Sequence, residues 1–180
     1  MLSQSFRMKK LLFLLVGPLL LFSCTDIPTE LETYSDEEYG FELGFPEGWE
    51  IEQPSDEGYI KVIFHSPSQG PLDDFAESIN VGVENKGEFS FDVYMDLSLE
   101  NMESLEGFKL EDVGTIEGME YQHQYFIYLH TYESTRIKAL ALVIEDGNQA
   151  FIVNCSADAK TFREFEPIFF KSVGSFKLTD

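Results

Sequence analysis

Three histidines, two cysteines and an acidic cluster are the residues in this chain whose types could carry chemistry. His123 and His130 lie seven apart. On a regular strand that odd spacing sends them to opposite faces, so they do not share a metal without a bulge. His65 stands far from both. Asp73, Asp74 and Glu77 cluster in a stretch, residues 66–77, that also holds Pro67, Gly70 and Pro71. Calcium favours such oxygens, but the regular acid and glycine spacing of a calcium loop is absent, so a solvated acidic loop is expected. There is no H-E-x-x-H, no G-x-S-x-G and no phosphate-binding glycine loop. With 33 acidic side chains some pair is always nearby, so sequence alone defines no carboxylate couple for glycoside hydrolysis. The expectation is no catalytic residue, no metal and no cofactor.

Cys24 has a more definite chemistry. Lys9 and Lys10 precede an apolar run, Leu11–Phe22, which ends in Ser23 and Cys24. This is a positive region, a hydrophobic region and a cleavage site. Leu21-Phe22-Ser23-Cys24 resembles a lipobox, in which the cysteine takes acyl chains after the signal is removed. The run is well short of the roughly 20 residues of a membrane span. Lipid attachment at Cys24 would tether the protein to a membrane, since two or more acyl chains hold stably where one is marginal. Cys155 then has no disulfide partner. It sits in the apolar run Phe151–Cys155 and is expected as a buried, inert thiol.

Without Arg7, Lys9 and Lys10 the chain keeps nine basic against 33 acidic side chains, a net charge of −24. Such a chain lacks the cations that nucleic-acid binding needs. It is also repelled by anionic lipid, so membrane attachment rests on the acyl chains. At 43% hydrophobic and 14% aromatic, the composition is that of a folded domain and not of a disordered one. The layout is a signal peptide over 1–23, a lipidated acidic tether over 24–38 and one domain over 39–180.

The elements that must position these residues follow from periodicity. Tyr39–Phe45 and Trp49–Gln53 read as a hairpin around Pro46-Glu47-Gly48. Tyr59–His65 is a third strand. Ser78–Glu84 is a fourth, with Ile79, Val81 and Val83 on one face. Phe91, Met95, Ser98, Met102 and Leu105 mark a helix over 91–105, capped by Ser90 and ended by Gly107. Phe108–Ile116 and Met119–Thr131 form a strand pair. Arg136–Glu145 and Gln149–Cys155 form another around Asp146-Gly147-Asn148, a strong hairpin signal. Leu140–Ile144 is apolar on both faces, so this strand is expected at the centre with helices over both sides. Ala159–Val173 reads as a helix capped by Asp158 and kinked or divided at Pro167. Ser175–Leu178 closes the chain as a strand. Tyr121, Tyr125, Tyr128 and Tyr132 crowd one strand, and packing is the expectation over an aromatic contact surface. The order implies an α+β fold with an antiparallel sheet.

Y-G-F-E-L-G-F-P-E-G-W-E (residues 39–50) resembles the opening of the PsbP-like family. S-I-N-V-G-V-E (78–84), G-F-K-L-E-D-V-G-T-I-E-G-M-E-Y (107–121) and F-R-E-F-E-P-I-F-F-K-S-V-G-S-F-K (162–177) resemble its later segments, in the family's order. The resemblance implies a Mog/PsbP-like α/β/α sandwich with a central antiparallel sheet, and Trp49 and Phe176 as core anchors. Many members are prokaryotic lipoproteins, which this chain resembles in its cysteine and acidic stretch. The leading expectation is a non-enzymatic binding or assembly module in the cell envelope, periplasmic or at the cell surface. It would be attached to the membrane through acyl chains on Cys24 and hold a protein partner. A carrier of a small ligand or cation, with a pocket between sheet and helix, is the alternative. An envelope hydrolase ranks last.

Overall fold

The structure, a computed structural model, describes residues 27–54, 58–68 and 75–179. Cys24, Asp73, Asp74 and the signal segment lie outside the described residues. Among the described residues ten strands and two helices follow in the order β1 (Leu31–Asp36), β2 (Phe41–Pro46), β3 (Glu50–Glu52), β4 (Ile60–His65), β5 (Ser78–Asn85), α1 (Phe91–Met102), β6 (Lys109–Gly114), β7 (His123–Tyr132), β8 (Thr135–Asp146), β9 (Gln149–Asp158), α2 (Phe162–Gly174) and β10 (Lys177–Leu178). Seven strands form an antiparallel main sheet in the order β3-β4-β5-β9-β8-β7-β6. A small sheet, β1-β2-β10, lies beside α2.

The main sheet is apolar on both faces at its centre, and the two faces differ in size. On the α2 face β8 presents Leu140, Leu142 and Ile144, packed with Phe151, Val153, Phe165 and Phe169. On the α1 face it presents Ala139, Ala141 and Val143, met by Phe91, Tyr94 and Met95 of the helix. Burial of each large side chain contributes about 1.5–3 kcal/mol, so the α2 face carries most of the stability. The alanine floor under α1 leaves space. Trp49 and Phe176 are buried in the α2-side core, as the family resemblance implies. Cys155 is fully buried there too, and burial raises its thiol pKa far above the reactive range.

The opening of the domain departs from expectation. Pro46-Glu47-Gly48 does turn the chain, with Trp49 N–H bonded to Pro46 O at 3.2 Å and Gly48 at φ +78°. It joins two sheets, however, and not two strands of one hairpin. β2 pairs with β1 and β10, whereas β3 pairs with β4. The missing partner is β1, inside the stretch expected as an acidic tether over 24–38. Leu31 and Tyr34 supply it with apolar contacts to the core. Asp36 closes the true hairpin by accepting the N–H groups of Glu38 and Tyr39, both at 3.0 Å.

The helices form where periodicity places them, with shifted ends. Ser90 caps α1 by accepting from Val93 N–H at 3.5 Å. The helix stops at Met102 and not near Gly107. Ser104 and Leu105 tighten the chain with N–H bonds three residues back, and Leu105 is exposed. Asp158 acts one turn before α2, accepting from Lys160 N–H at 2.8 Å, while Thr161 takes the cap position. Pro167 lies inside α2 without dividing it. It sits on the exposed side, where the carbonyl it frees at Arg163 can be hydrated.

Candidate functional site

Two neighbouring elements set where α1 lies. Lys86, buried just after β5, pairs with Glu145 at 2.9 Å and donates to Phe89 O at 2.7 Å, which fixes the approach to the helix. The sheet below brings together residues far apart in sequence. Strand pairing sets Asn80 opposite Asn154, Asn154 opposite Ala141, and Ala141 opposite Phe126. Because side chains alternate, these four share the face opposite Ile79, Val81 and Val153. A cleft of about 330 Å³ opens between this row and α1.

Its floor is Phe126, Ala141, Val143 and Ile152. Its polar groups are Asn80, Glu84 and Asn154 from the sheet, Tyr94, Ser98 and Asn101 from α1, and Tyr59 and Tyr128 at the sides. The Tyr128 hydroxyl donates to Asn154 Oδ1 at 3.2 Å. The Tyr94 hydroxyl donates to the Glu84 carboxylate. Burial raises the Tyr128 pKa to about 12, with the nearby Tyr59 adding to the rise. Burial, then the Glu84 carboxylate, raises that of Tyr94. Both phenols therefore stay neutral and act by hydrogen bonding. Among the described residues the Asn80 amide has no protein partner, and Asn154 keeps its two N–H donors free. Tyr59 precedes a bulge in β4, and its ring lies on Gly82, where an added Cβ would stand 2.5 Å from it. Glycine is thus required for this aromatic to sit at the mouth.

The histidines and acids singled out in the sequence lie elsewhere. His65 Nε2 faces Glu52 Oε2 at 3.2 Å on the outer strands. His123 Nε2 accepts from Ile116 N–H at 2.8 Å and its Nδ1 donates to Tyr121 O at 2.6 Å, which fixes its tautomer and the β6–β7 turn. His130 stacks on Tyr128. Glu77 corrects the picture of a solvated acidic loop. It is buried, and Ser66 Oγ donates to its Oε2 and accepts from its N–H, both at 2.9 Å. Thr161 donates to its other oxygen at 3.3 Å, so this carboxylate anchors the loop at the start of α2. The four tyrosines form no single surface. Tyr121 accepts from Leu178 N–H, Tyr125 packs edge-on against Phe170, Tyr128 faces the cleft and Tyr132 is exposed.

Tyr59, Asn80, Glu84, Tyr94 and Asn154 carried no sequence motif. The available signal was the reverse side of two alternating strands. Asn80, Gly82 and Glu84 oppose Ile79, Val81 and Val83, and Asn154 and Ser156 oppose Val153 and Cys155. Small polar residues on a face that a helix must cover mark a polar cavity.

Among the described residues no helix is long and apolar enough to cross a membrane. Two layers on an antiparallel sheet, with α1 on one side and α2 on the other, define a PsbP-like fold. The chain is similar to CyanoP, the cyanobacterial PsbP of Synechocystis sp. PCC 6803, with a TM-score of 0.64 and 16% identity over 90% of this chain and 99% of that one. It is similar to LpqN, involved in cell envelope biogenesis of Mycobacterium tuberculosis, with a TM-score of 0.61 and 11% identity over 84% and 91%. Protein PA94 of Pseudomonas aeruginosa, of unknown function, gives 0.58 and 22% over 81% and 95%. At these identities the likeness is one of fold. No family model and no curated protein matches the chain.

Proposed function

We propose that this chain is a non-catalytic binding module, held at the extracytoplasmic face of a membrane by lipid on Cys24, with the cleft under α1 as its binding site. The cleft carries the reading. It is concave, has an apolar floor, and among the described residues is lined by the Asn80 amide, which has no protein partner, and by the free N–H groups of Asn154. Among the described residues a single carboxylate, Glu84, lines it, whereas hydrolysis by a carboxylate pair needs two. The signal segment and the structural likeness to an envelope-biogenesis protein support the compartment.

A protein partner is the second reading. It is favoured by Phe89, Val93 and Leu97, exposed at spacings of four along and before α1. Capture separates the two. Small molecules from an envelope extract are passed over the full-length protein and those retained are identified by mass spectrometry. Ala141→Leu, which fills the floor, should retain less than a tenth of what the unaltered protein holds. Equal retention by both forms removes the cleft as the site.

A further inference from the structure

We propose that the cleft takes a neutral, hydroxyl-rich ligand, namely one or two sugar rings. This rests on the reading of the cleft as a binding site and adds the class of its ligand.

Charge narrows the choice first. Among the described residues no lysine, arginine or histidine lines the cleft, and the chain carries a formal charge of −21. A phosphate or carboxylate would meet a negative field with nothing to pair it. Glu84, the one charged group there among the described residues, stands exposed at the rim and already accepts the Tyr94 hydroxyl. The remaining polar groups are neutral amides and hydroxyls, which both donate and accept.

The amides then favour hydroxyls over ammonium. Tyr128 occupies Asn154 Oδ1, so Asn154 offers the cleft its N–H donors. Asn80 sits directly across the strand pair with a free amide. Two amides on neighbouring strands, about 5 Å apart, can bracket adjacent hydroxyls of a sugar. An ammonium has donors only and would leave those N–H groups facing it unpaired. An organic cation would exploit the aromatic faces, but not the amides.

The apolar parts complete the match. A sugar ring has a C–H face, and the floor of Phe126, Val143 and Ile152 suits it. Tyr59, lying on Gly82 and 54% exposed, supplies an aromatic platform at the mouth. The 330 Å³ volume is at the small end of the roughly 300–1,000 Å³ seen for ligand sites, which fits one or two rings.

The test is calorimetric titration of the lipidated full-length protein in phosphatidylglycerol nanodiscs, which contain neither sugar nor quaternary ammonium. Glucose, N-acetylglucosamine, maltose and cellobiose form one arm. Tetramethylammonium and putrescine form the second, and inorganic phosphate is the third. At least one saccharide should bind at millimolar affinity or tighter, with no heat from phosphate. Asn154→Leu should weaken it at least tenfold and Tyr59→Ala several-fold, with thermal melts showing both variants folded. Binding of a cation and of no saccharide overturns the ligand class while leaving the cleft as a site. Saccharide binding that survives both Asn154→Leu and Ala141→Leu overturns the cleft itself. Silence across the whole panel overturns this proposal, and the envelope-extract capture then decides on the cleft independently.

Discussion

His130 stacks on Tyr128 with ring centroids 5.8 Å apart. Burial lowers its pKa below 6.5, the Arg136 charge adds to the fall, and a backbone hydrogen bond at Thr131 opposes them. The unfolded chain therefore takes up this proton before the folded one does. The resulting stability is fully present above about pH 6.5 and is lost as pH falls from there through the folded pKa. Urea unfolding should show a lower midpoint at pH 5.5 than at pH 7.5, and His130→Phe should reduce that fall. An equal fall in both proteins would show that His130 does not carry it. Sequence reading was sound for residues whose surroundings are local. Cys155, flanked by apolar neighbours, is buried as expected. It failed for Glu77, because the partners that bury it, Ser66 and Thr161, come from 11 residues before and 84 after. Parity of spacing did place His123 and His130 correctly apart, but nothing local reveals that Asn80 meets Asn154.

Elements with strong internal periodicity were legible, and those defined by distant pairing were not. Helices α1 and α2 and the Asp146-Gly147 hairpin stand where periodicity and turn chemistry put them, with Gly147 at φ +56°. The closing strand β10 was expected, but the small sheet was not, because β1, which pairs with β2 on its other edge, is acidic and short. Charge suggested disorder there, yet two apolar residues decide the outcome. Tyr34 packs against Phe41 and Phe64 at 6.0 and 5.6 Å, and its hydroxyl receives Gln53 Nε2 at 2.8 Å. Truncating a half-buried aromatic of this kind costs about 2 kcal/mol. Tyr34→Ala should lower the denaturant midpoint accordingly, whereas a change in a disordered tether would leave it unmoved. A midpoint within error of the unaltered protein would mean that β1 contributes nothing to the fold.

On the scale of the whole molecule, ordering of the chain from Ile27 onward would shorten the leash between a lipid on Cys24 and the domain. Read as a tether to residue 38, it could span about 45 Å, but Ile27 already packs against the core, and three positions back to Cys24 reach only about 10 Å. Ile27, Pro28 and Thr29 lie along Pro167 and Ile168 of α2, and Lys171 Nζ donates to Thr29 O at 2.5 Å. A lipid on Cys24 would therefore hold the α2 side next to the bilayer. The cleft lies under α1, across the main sheet, and would open away from the membrane toward ligands in the surrounding space. This orientation is measurable because Cys155 is buried and leaves new surface cysteines as the labelling sites. Bimane on Glu164→Cys in α2 should be quenched by shallow doxyl lipids several-fold more strongly than bimane on Glu100→Cys in α1. Equal quenching at the two sites would mean that the domain tumbles freely on its anchor. Strong quenching at Glu100→Cys alone would place the cleft against the bilayer and make a membrane component its natural ligand.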